Sequence, residues 1–214
     1  MKPSLSQTND YNFKIIIVGD SGVGKSSLIR RYMKKEFSEK TATTIGVWNY
    51  TKIVEIENKN IMLNIWDTAG QEKFKCLIPT FFRGSHAAIL VYDITNQKSF
   101  NSIFYWIDKI HEHATSNVVF MMIGNKSDME TERKVPQELG QSKARDNKML
   151  FLETSCLNST NVERAFEEVT NQLLVVNGNQ RIEEVKTSEL IPSAKKISIV
   201  QQPQEVKKRK RRRC

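Results

Sequence analysis

The sequence predicts an α/β domain built on a mainly parallel sheet, and three observations support this fold class. Apolar, strand-like segments alternate with segments of helical periodicity along residues 13–176, which is the pattern of a sheet covered by helices on both faces. Two consecutive strand-like runs are joined by a short polar link, so one antiparallel pair is expected in the sheet. Polar motifs follow predicted strands at Gly19, Asp67, Asn125 and Ser155, and the carboxyl ends of parallel strands share one edge, where ligands bind.

The first motif, Gly19–Ser26, matches the phosphate-binding pattern G-x-x-x-x-G-K-[ST]. A buried strand is predicted before it over Phe13–Val18, and a helix is predicted to begin at Lys25. Glycines let the backbone point several amide groups at one anion, and the helix dipole adds to that field. Lys25 is expected to reach the β- and γ-phosphates, and the Ser26 hydroxyl to ligate Mg²⁺. A glycine-rich surface turn is the alternative, and the motif alone fits ATPases, kinases and GTPases equally. The residues predicted to contact the phosphates are Ser21, Gly22, Val23, Gly24, Lys25, Ser26 and Ser27.

The remaining elements follow from periodicity and composition. Residues 37–44 are polar and rich in threonine, which favours an exposed loop. Continuous apolar runs predict buried strands, and apolar residues three and four apart predict helices. The predicted strands are Val47–Ile56, Ile61–Trp66, His86–Tyr92, Val118–Ile123 and Met149–Leu152, with residues 57–60 linking the first two. The predicted helices are Phe100–Ile110, Pro136–Asn147 and Asn161–Val175.

Positive charge is concentrated at one end of the chain. The formal net charge is +9, and residues 207–213 supply seven of these charges, so the domain itself is close to neutral. Three scattered cysteines exclude a disulfide framework and favour a reducing compartment. No apolar run approaches the roughly 20 residues of a membrane-spanning helix. The polar N-terminus lacks the apolar region of a signal peptide.

Together the motifs resemble those of the small GTPases, and most closely the Rab branch. The resemblance covers roughly residues 11–176 and implies the G domain of the P-loop NTPases, with a mostly parallel six-stranded sheet, one antiparallel hairpin strand and helices on both faces. It also implies GTP and GDP as ligands, with Mg²⁺. The motifs that stand in family order and spacing are Gly19–Ser26, Thr44-Ile45-Gly46, Trp66–Glu72, Asn125–Asp128 and Glu153-Thr154-Ser155.

The guanine base is expected at the last two motifs. Asp128 carries a carboxylate that can accept hydrogen bonds from the N1–H and 2-amino groups of guanine, a pair that adenine does not offer. By resemblance, Asn125 ties the base loop to the phosphate loop, and the stem of Lys126 covers one face of the base. The resemblance also places Phe37 at the other end of the purine site and the backbone of Ser155–Cys156 at the guanine oxygen. By itself, Asn-Lys-Ser-Asp also fits an ordinary polar turn.

The resemblance implies a switch that senses the γ-phosphate. Thr44 would bind Mg²⁺ through its hydroxyl, Gly70 would contact the γ-phosphate through its amide, and Asp67 would lie near the metal through water. Gln71 would orient the attacking water while Lys25 holds the phosphates, which gives a slow GTPase that a partner protein accelerates. The alternative for Gln71 is a solvated loop residue.

The chain departs from the Rab pattern at several positions, mostly on surfaces that partners recognise. Trp48 and Asn49 stand where an acidic residue and Phe are usual. Thr41 stands where relatives often carry an aromatic residue, and Phe82 replaces a usual Tyr. Cys156-Leu157 replaces a common Ala-Lys pair of the guanine loop, where the expected contacts come largely from the backbone. Partner choice is therefore more affected than nucleotide binding.

Three segments are expected: a flexible N-terminus over residues 1–12, the GTPase domain over 13–176, and a flexible tail over 177–214. The tail begins as a polar, charge-balanced linker, and its basic run is suited to anionic lipid. The chain carries no C-a-a-X box. Cys214 resembles instead the C-terminal cysteines of Rab proteins, which receive geranylgeranyl groups, although Rab tails commonly carry two. A solvated tail with an unmodified thiol is the alternative.

The predicted function is a Rab-like, GTP-hydrolysing switch that recruits effectors in vesicle trafficking. We expect it on the cytosolic face of an endomembrane or the plasma membrane, held by its lipid anchor and by residues 207–214 on anionic lipid. Effectors are expected on switch regions 37–50 and 67–83, and the resemblance implies an exchange factor, an activating protein and prenyl-delivery and extraction proteins. A monomer that binds no nucleic acid is expected. The alternatives are a nucleotide-locked scaffold without meaningful turnover and a basic-tailed nuclear GTPase.

Overall fold

The structure, a computed structural model, describes residues 9–38, 44, 46–68, 81–114 and 117–189, with side chains described as far as residue 177. The chain divides into two units, Met1–Gly178 and Asn179–Cys214. The first contains the sheet, and the described part of the second, residues 179–189, is helical. The predicted segment limits at residues 12 and 176 stay predictions.

The described residues form one sheet of six strands. The strands are β1 (Tyr11–Val18), β2 (Val47–Ile56), β3 (Lys59–Thr68), β4 (Ala87–Asp93), β5 (Val119–Asn125) and β6 (Leu150–Thr154). Their order across the sheet is β2-β3-β1-β4-β5-β6. β2 and β3 are antiparallel, and every other neighbouring pair is parallel. This arrangement confirms the predicted fold class, including the single antiparallel hairpin.

Helices cover both faces of the sheet, because consecutive residues of a buried strand point to opposite sides. Ile15 and Ile17 of β1 belong to one buried cluster, and Ile16 and Val18 belong to the other. The α-helices whose bounds lie in the described residues are α1 (Lys25–Lys34), α2 (Gln97–His113), α3 (Gln137–Asp146) and α4 (Val162–Glu189), and a short 3₁₀ helix spans Glu130–Glu132. Side chains of α1 and α4 pack in the first cluster, and side chains of α2 and α3 pack in the second.

The β2–β3 hairpin turns through two residues rather than the four that the sequence predicts. Glu57 and Asn58 have φ angles of 51° and 60°, as a type I′ turn requires, and that turn matches the twist of the flanking strands. Lys59 and Asn60 are consequently the first residues of β3. They pair with Ile56 and Glu55 of β2.

Two helices extend beyond their predicted ends. α2 begins at Gln97 rather than Phe100, because the Asn96 side chain accepts hydrogen bonds from the amides of Lys98 and Ser99 (3.0 and 3.3 Å) and so caps the first turn. α4 continues to Glu189 rather than ending at the predicted Val175. The added residues include no proline, and from Gln180 onward the strong helix formers Gln, Arg, Glu and Lys recur. Within the described residues, no helix is long and apolar enough to cross a membrane.

Candidate nucleotide-binding site

The four predicted motifs lie at the carboxyl ends of four strands of the sheet. Gly19 directly follows β1, and Asp67 is the penultimate residue of β3. Asn125 is the last residue of β5, and Ser155 directly follows β6. Because β1, β3, β5 and β6 run in one direction, their ends form a single edge of the sheet.

Two glycines of the phosphate loop occupy positions where a side chain would collide with neighbouring atoms. A Cβ on Gly19 would lie 2.2 Å from the carbonyl oxygen of Val91 on β4. A Cβ on Gly24 would lie 2.2 Å from Nδ2 of Asn125, and Gly24 has a φ of 97°. Glycine is required there both for the left-handed backbone and for the close approach. The loop is therefore packed directly against the rest of the sheet edge.

Lys25 is the first residue of α1, and its side chain folds back into the loop. Its exposed fraction is 6%, and Nζ donates hydrogen bonds of 2.7 Å to the carbonyl oxygens of Gly19 and Asp20. Burial lowers the pKa of Lys25 to about 8, although the carboxylates of Asp67 and Asp20 oppose that shift. A buried ammonium of this kind is stabilised by an anionic ligand.

Three oxygen-bearing side chains predicted to serve Mg²⁺ come together beside this lysine. The hydroxyls of Ser26 and Thr44 share a hydrogen bond of 2.7 Å. Asp67 is 1% exposed, and its Oδ1 has no hydrogen-bond partner among the described residues. Burial raises the pKa of Asp67, while Ser26, Lys25 and Arg30 oppose the shift.

This oxygen set fits Mg²⁺. The ion takes oxygen ligands, commonly one or two carboxylates together with substrate phosphates and water. The orphaned, buried Oδ1 of Asp67 is a suitable acceptor for a water bound to such an ion. In the described part of the chain, no cluster of three or more His, Cys, Asp or Glu side chains offers a different metal site.

Asn125 joins the base loop to the phosphate loop. Its Nδ2 donates to the carbonyl oxygen of Val23 (2.8 Å). Its Oδ1 accepts from the Thr154 hydroxyl (3.1 Å) and from the Cys156 thiol (3.5 Å). Both ends of the amide are therefore held, and burial raises the pKa of Cys156 to about 11, which keeps that thiol neutral.

Asp128 is held by the loop that follows β6. The Ser155 hydroxyl donates a short hydrogen bond to Oδ1 of Asp128. The same hydroxyl oxygen accepts from the amides of Leu157 (3.2 Å) and Asn158 (3.3 Å). The sequence assigned only a backbone role to residue 155, so its side-chain contact with Asp128 is an addition.

Three contacts of charged side chains hold the base loops, and the sequence analysis predicted none of these contacts. Lys126 has a φ of 67°, and its Nζ lies 2.5 Å from Oδ2 of Asp93, the last residue of β4. Arg133 binds Glu153 through two parallel hydrogen bonds of 2.7 and 2.8 Å. Arg31 on α1 donates to the carbonyl oxygens of residues 156 and 157. A single charged residue near a predicted helix or strand gives no sequence signal for such contacts.

The remaining predicted site residues divide between the described and the other parts of the chain. Phe37 is half-buried beside Arg31, whose guanidinium carbon lies 5.6 Å from the centre of the ring. Gly70 and Gln71 of the predicted switch lie outside the described residues, as does the predicted anchor Cys214. The phosphate, metal and base residues otherwise meet at the same sheet edge.

Comparison with known proteins agrees with this arrangement. The model of the Ras family matches residues 14–175. The chain is 44% identical over 197 residues to the Ras-related protein Rab-11C of Dictyostelium discoideum, an alignment that covers 91% of this chain and 88% of that protein. It is 44% identical to the Ras-related protein RABA2c of Arabidopsis thaliana, covering 81% and 80% of the two chains. It is 42% identical to the GTP-binding protein ypt3 of Schizosaccharomyces pombe, covering 81% of each.

The chain belongs to the Ras family. Its similarity to Rab and Ypt proteins over most of their length makes it a Rab-type small GTPase. It is therefore a GTPase that binds guanine nucleotide and acts as a switch in vesicle trafficking, and the scaffold and nuclear alternatives are not favoured.

The departures from the Rab pattern fall into two classes. On β2, Trp48 is 58% exposed and Asn49 beside it is also exposed, so both are accessible to a partner. Phe82 is fully buried in the core and Cys156 is 5% exposed, so these substitutions act on packing. Leu157 is 51% exposed, next to the guanine loop. Thr41 lies outside the described residues.

Proposed function

We propose that the loop Gly19–Ser26 binds the phosphates of GTP and GDP while Asp128 reads the guanine base. The observation that carries this proposal is the hydrogen bond from Nδ2 of Asn125 to the Val23 carbonyl. That bond holds the base loop directly against the phosphate loop. The two loops then bind one ligand rather than two.

The base half would act through fixed acceptors and donors. The Ser155 hydroxyl restrains one oxygen of Asp128, so the carboxylate is oriented before guanine arrives. The N1–H and 2-amino groups of guanine satisfy that carboxylate, whereas adenine would leave it without donors. The Lys126 stem and Phe37 would cover the two sides of the purine, and the Cys156 backbone would receive the 6-oxo group.

The phosphate half would act through charge. Lys25 would contact the β- and γ-phosphates, and its buried ammonium gains most from an anion because the local dielectric is low. Ser26 and Thr44 would hold Mg²⁺ directly and Asp67 would hold it through water. When bound, the ion would neutralise charge that develops on the phosphates during transfer.

Turnover and switching would depend on Gln71, Gly70 and Thr44. Gln71 would orient the attacking water, while the Gly70 amide and the Thr44 hydroxyl report the γ-phosphate. Hydrolysis removes the group that both contacts require, so regions 37–50 and 67–83 would change state together. Effectors would bind these regions in the GTP state, with an exchange factor and an activating protein controlling the cycle. The exposed Trp48 lies within this surface.

A competition experiment tests the nucleotide assignment. Purified protein is loaded with fluorescent GDP in Mg²⁺, and unlabelled GDP or ATP is added. We expect GDP to displace the probe and ATP to fail even at about a thousandfold excess, because adenine cannot pair with Asp128. Ready displacement by ATP would contradict the guanine assignment. Single-turnover hydrolysis of bound GTP in the same protein would contradict a nucleotide-locked scaffold.

We further propose that the protein is held on a membrane by a geranylgeranyl group on Cys214 and by the basic residues 207–213. One lipid chain anchors marginally, and a polybasic segment is a recognised second signal. Each basic residue contributes at most ~1 kcal/mol near an anionic surface. Prenyl-delivery and extraction proteins would handle the lipidated form.

The two parts of the anchor have different signatures. Cys214→Ser is expected to release the protein from membranes in cells, whereas neutralising residues 207–213 should weaken binding to anionic liposomes only. Raising the salt concentration should mimic the second change and not the first, because salt screens charge and leaves lipid insertion intact. Unmodified Cys214 in an intact-mass measurement, together with membrane recruitment unaltered by Cys214→Ser, would refute the lipid anchor.

A further inference from the structure

Arg31 lies outside every sequence motif, but its guanidinium contacts the guanine loop directly. Nε donates to the Cys156 carbonyl (2.7 Å) and Nη2 donates to the Leu157 carbonyl (2.9 Å). Two consecutive carbonyls of the loop are thus bound by one planar group. α1 begins in the phosphate loop, so Arg31 connects the helix that carries Lys25 to the turn that is expected to receive the base.

The same guanidinium also contacts the segment that follows α1, which carries Phe37, the residue predicted for the other end of the purine site. Nη1 donates to the Lys35 carbonyl at the end of α1 (2.8 Å). The guanidinium carbon lies 5.6 Å from the centre of the Phe37 ring, within the range of a cation–π contact. One side chain therefore holds both the guanine loop and the aromatic ring. Lysine, with a compact ammonium and no planar fork, cannot make this set of contacts together.

A continuous set of hydrogen bonds leads from Arg31 to the carboxylate that reads guanine. Arg31 binds the carbonyl of Leu157, and the amide of the same residue donates to the Ser155 hydroxyl. That hydroxyl in turn donates to Asp128. The loop is therefore held from outside by Arg31 and from inside by Ser155, and the two constraints share the peptide groups around residue 157.

We infer that Arg31 is a positioning residue for guanine recognition, one that fixes the Cys156 backbone against the 6-oxo group of the base and sets Phe37 on the other side. It acts through these groups and does not touch the nucleotide. The inference rests on the proposed function, since it assumes that the base binds between Phe37 and the 155–157 backbone.

The experiment compares nucleotides that do and do not carry the 6-oxo group. Dissociation constants for GDP and for 2-aminopurine riboside 5′-diphosphate, which lacks that group and also the N1–H donor to Asp128, are measured by displacement of fluorescent GDP. The preference for GDP therefore reports the guanine groups that the loop held by Arg31 would recognise. The proteins are wild type, Arg31→Ala, Arg31→Lys and the matched control Arg164→Ala, whose arginine is 62% exposed and pairs with Glu168.

Arg31→Ala is expected to lose roughly tenfold or more in GDP affinity, since it removes charged hydrogen bonds to two carbonyls. The affinity for the analogue should fall by a smaller factor, so the preference for GDP narrows. Arg31→Lys should narrow the preference for GDP by a smaller amount. If Arg31→Ala fails to fold, Arg31→Lys provides the test. Arg164→Ala should behave as wild type.

The contradicting outcomes are distinct. Equal losses for GDP and the analogue, or unchanged GDP affinity in both Arg31 variants, would overturn the inference alone and leave a structural role at most. A wild-type protein that does not prefer GDP over the analogue would overturn the proposed base site, and the inference with it.

Discussion

The base half of the site, residues 125–128 and 153–158, differs from the phosphate half, residues 19–26 with Thr44 and Asp67, in how its polar groups are satisfied. Asn125 has partners at both ends of its amide, and Asp128 and Lys126 each have a protein partner. In the phosphate half, Oδ1 of Asp67 has no partner among the described residues. Lys25 in that half is buried, and this burial lowers its pKa.

The difference indicates that the protein itself satisfies the polar groups of the base half, whereas those of the phosphate half require a ligand. Hydrogen bonds within the protein determine the geometry of the base half, which suits a half whose task is to distinguish one base from another. The phosphate half holds charges that a nucleotide and a metal would satisfy, so its energy depends on the ligand's charge state. Specificity and switching would thereby be separated in one site.

The largest expected effect comes from replacing the carboxylate of Asp128, a hydrogen-bond acceptor in the base half, by an amide that can donate. Asp128→Asn should lower the affinity for GDP by on the order of 10³, because the new amide presents a donor to a donor. The affinity for xanthosine diphosphate should rise, because its 2-oxo group accepts from that amide. Displacement titrations of both nucleotides measure the change. Asp146→Asn on α3, where the aspartate is exposed, is the control, and a GDP affinity equal in both variants would show that the base half does not read guanine through Asp128.

The next effect concerns the buried charge of the phosphate half. Burial lowers the pKa of Lys25 from 10.5 to about 8. Between these values the unfolded chain binds a proton that the folded protein has released, so the free energy of unfolding rises with pH across that window. Below pH 8 both states are protonated and the burial cost is present in full. The gain between pH 8 and 10.5 is at most about 3 kcal/mol.

The variant Lys25→Met distinguishes the increase in unfolding free energy that is due to Lys25 from the effects of other titrating groups. Burial also raises the pKa of Tyr32 to about 12 and of Cys156 to about 11, but these groups are present in both proteins. Denaturant unfolding is measured without nucleotide and in the presence of a chelator. As the pH rises from 8, the free energy of unfolding of the wild type should therefore increase relative to that of Lys25→Met. Bound GDP should remove this gain, since phosphate charge raises the lysine pKa again. Parallel pH profiles of the two proteins would contradict the electrostatic account of this half.

The sequence predicts the residues of this site that stand in motifs, but it does not predict contacts between parts of the chain that are distant in sequence. Asn125, Asp128 and Lys25 were predicted because each stands in a motif of fixed spacing after a strand. Arg31 and Asp93 were missed because their partners are distant along the chain, and only the packing of α1 and β4 brings them together. The strands and the covering of the sheet by helices on both faces were predicted from apolar patterning. The two-residue turn at Glu57-Asn58 did not, because tertiary pairing extended β3 into a polar segment.

A smaller effect is expected from the metal ligand in the phosphate half. Ser26→Asn should lower the affinity for GTP by about tenfold more than the affinity for GDP, since the ion that Ser26 would hold neutralises the additional phosphate charge of GTP. Titrations in Mg²⁺ and in chelator measure the difference. The control is Ser142→Asn on α3, where the serine is exposed. A loss that is equal for both nucleotides and insensitive to Mg²⁺ would remove Ser26 from the metal site.

The smallest expected effect separates turnover from binding within the phosphate half. Gln71→Leu should slow intrinsic hydrolysis by about tenfold while leaving GDP and GTP affinities within about twofold of wild type, because the residue would orient water rather than hold the nucleotide. Single-turnover release of phosphate from preloaded GTP, without any activating protein, is the appropriate measurement, since such a protein can supply a glutamine of its own. Gln141→Leu on α3, an exposed position, controls for the loss of a surface amide. An unchanged intrinsic rate would take Gln71 out of the mechanism. A rate loss accompanied by an equal loss of GTP affinity would mean that the 67–71 segment contributes to binding, and the two roles would then not be separable in this half of the site.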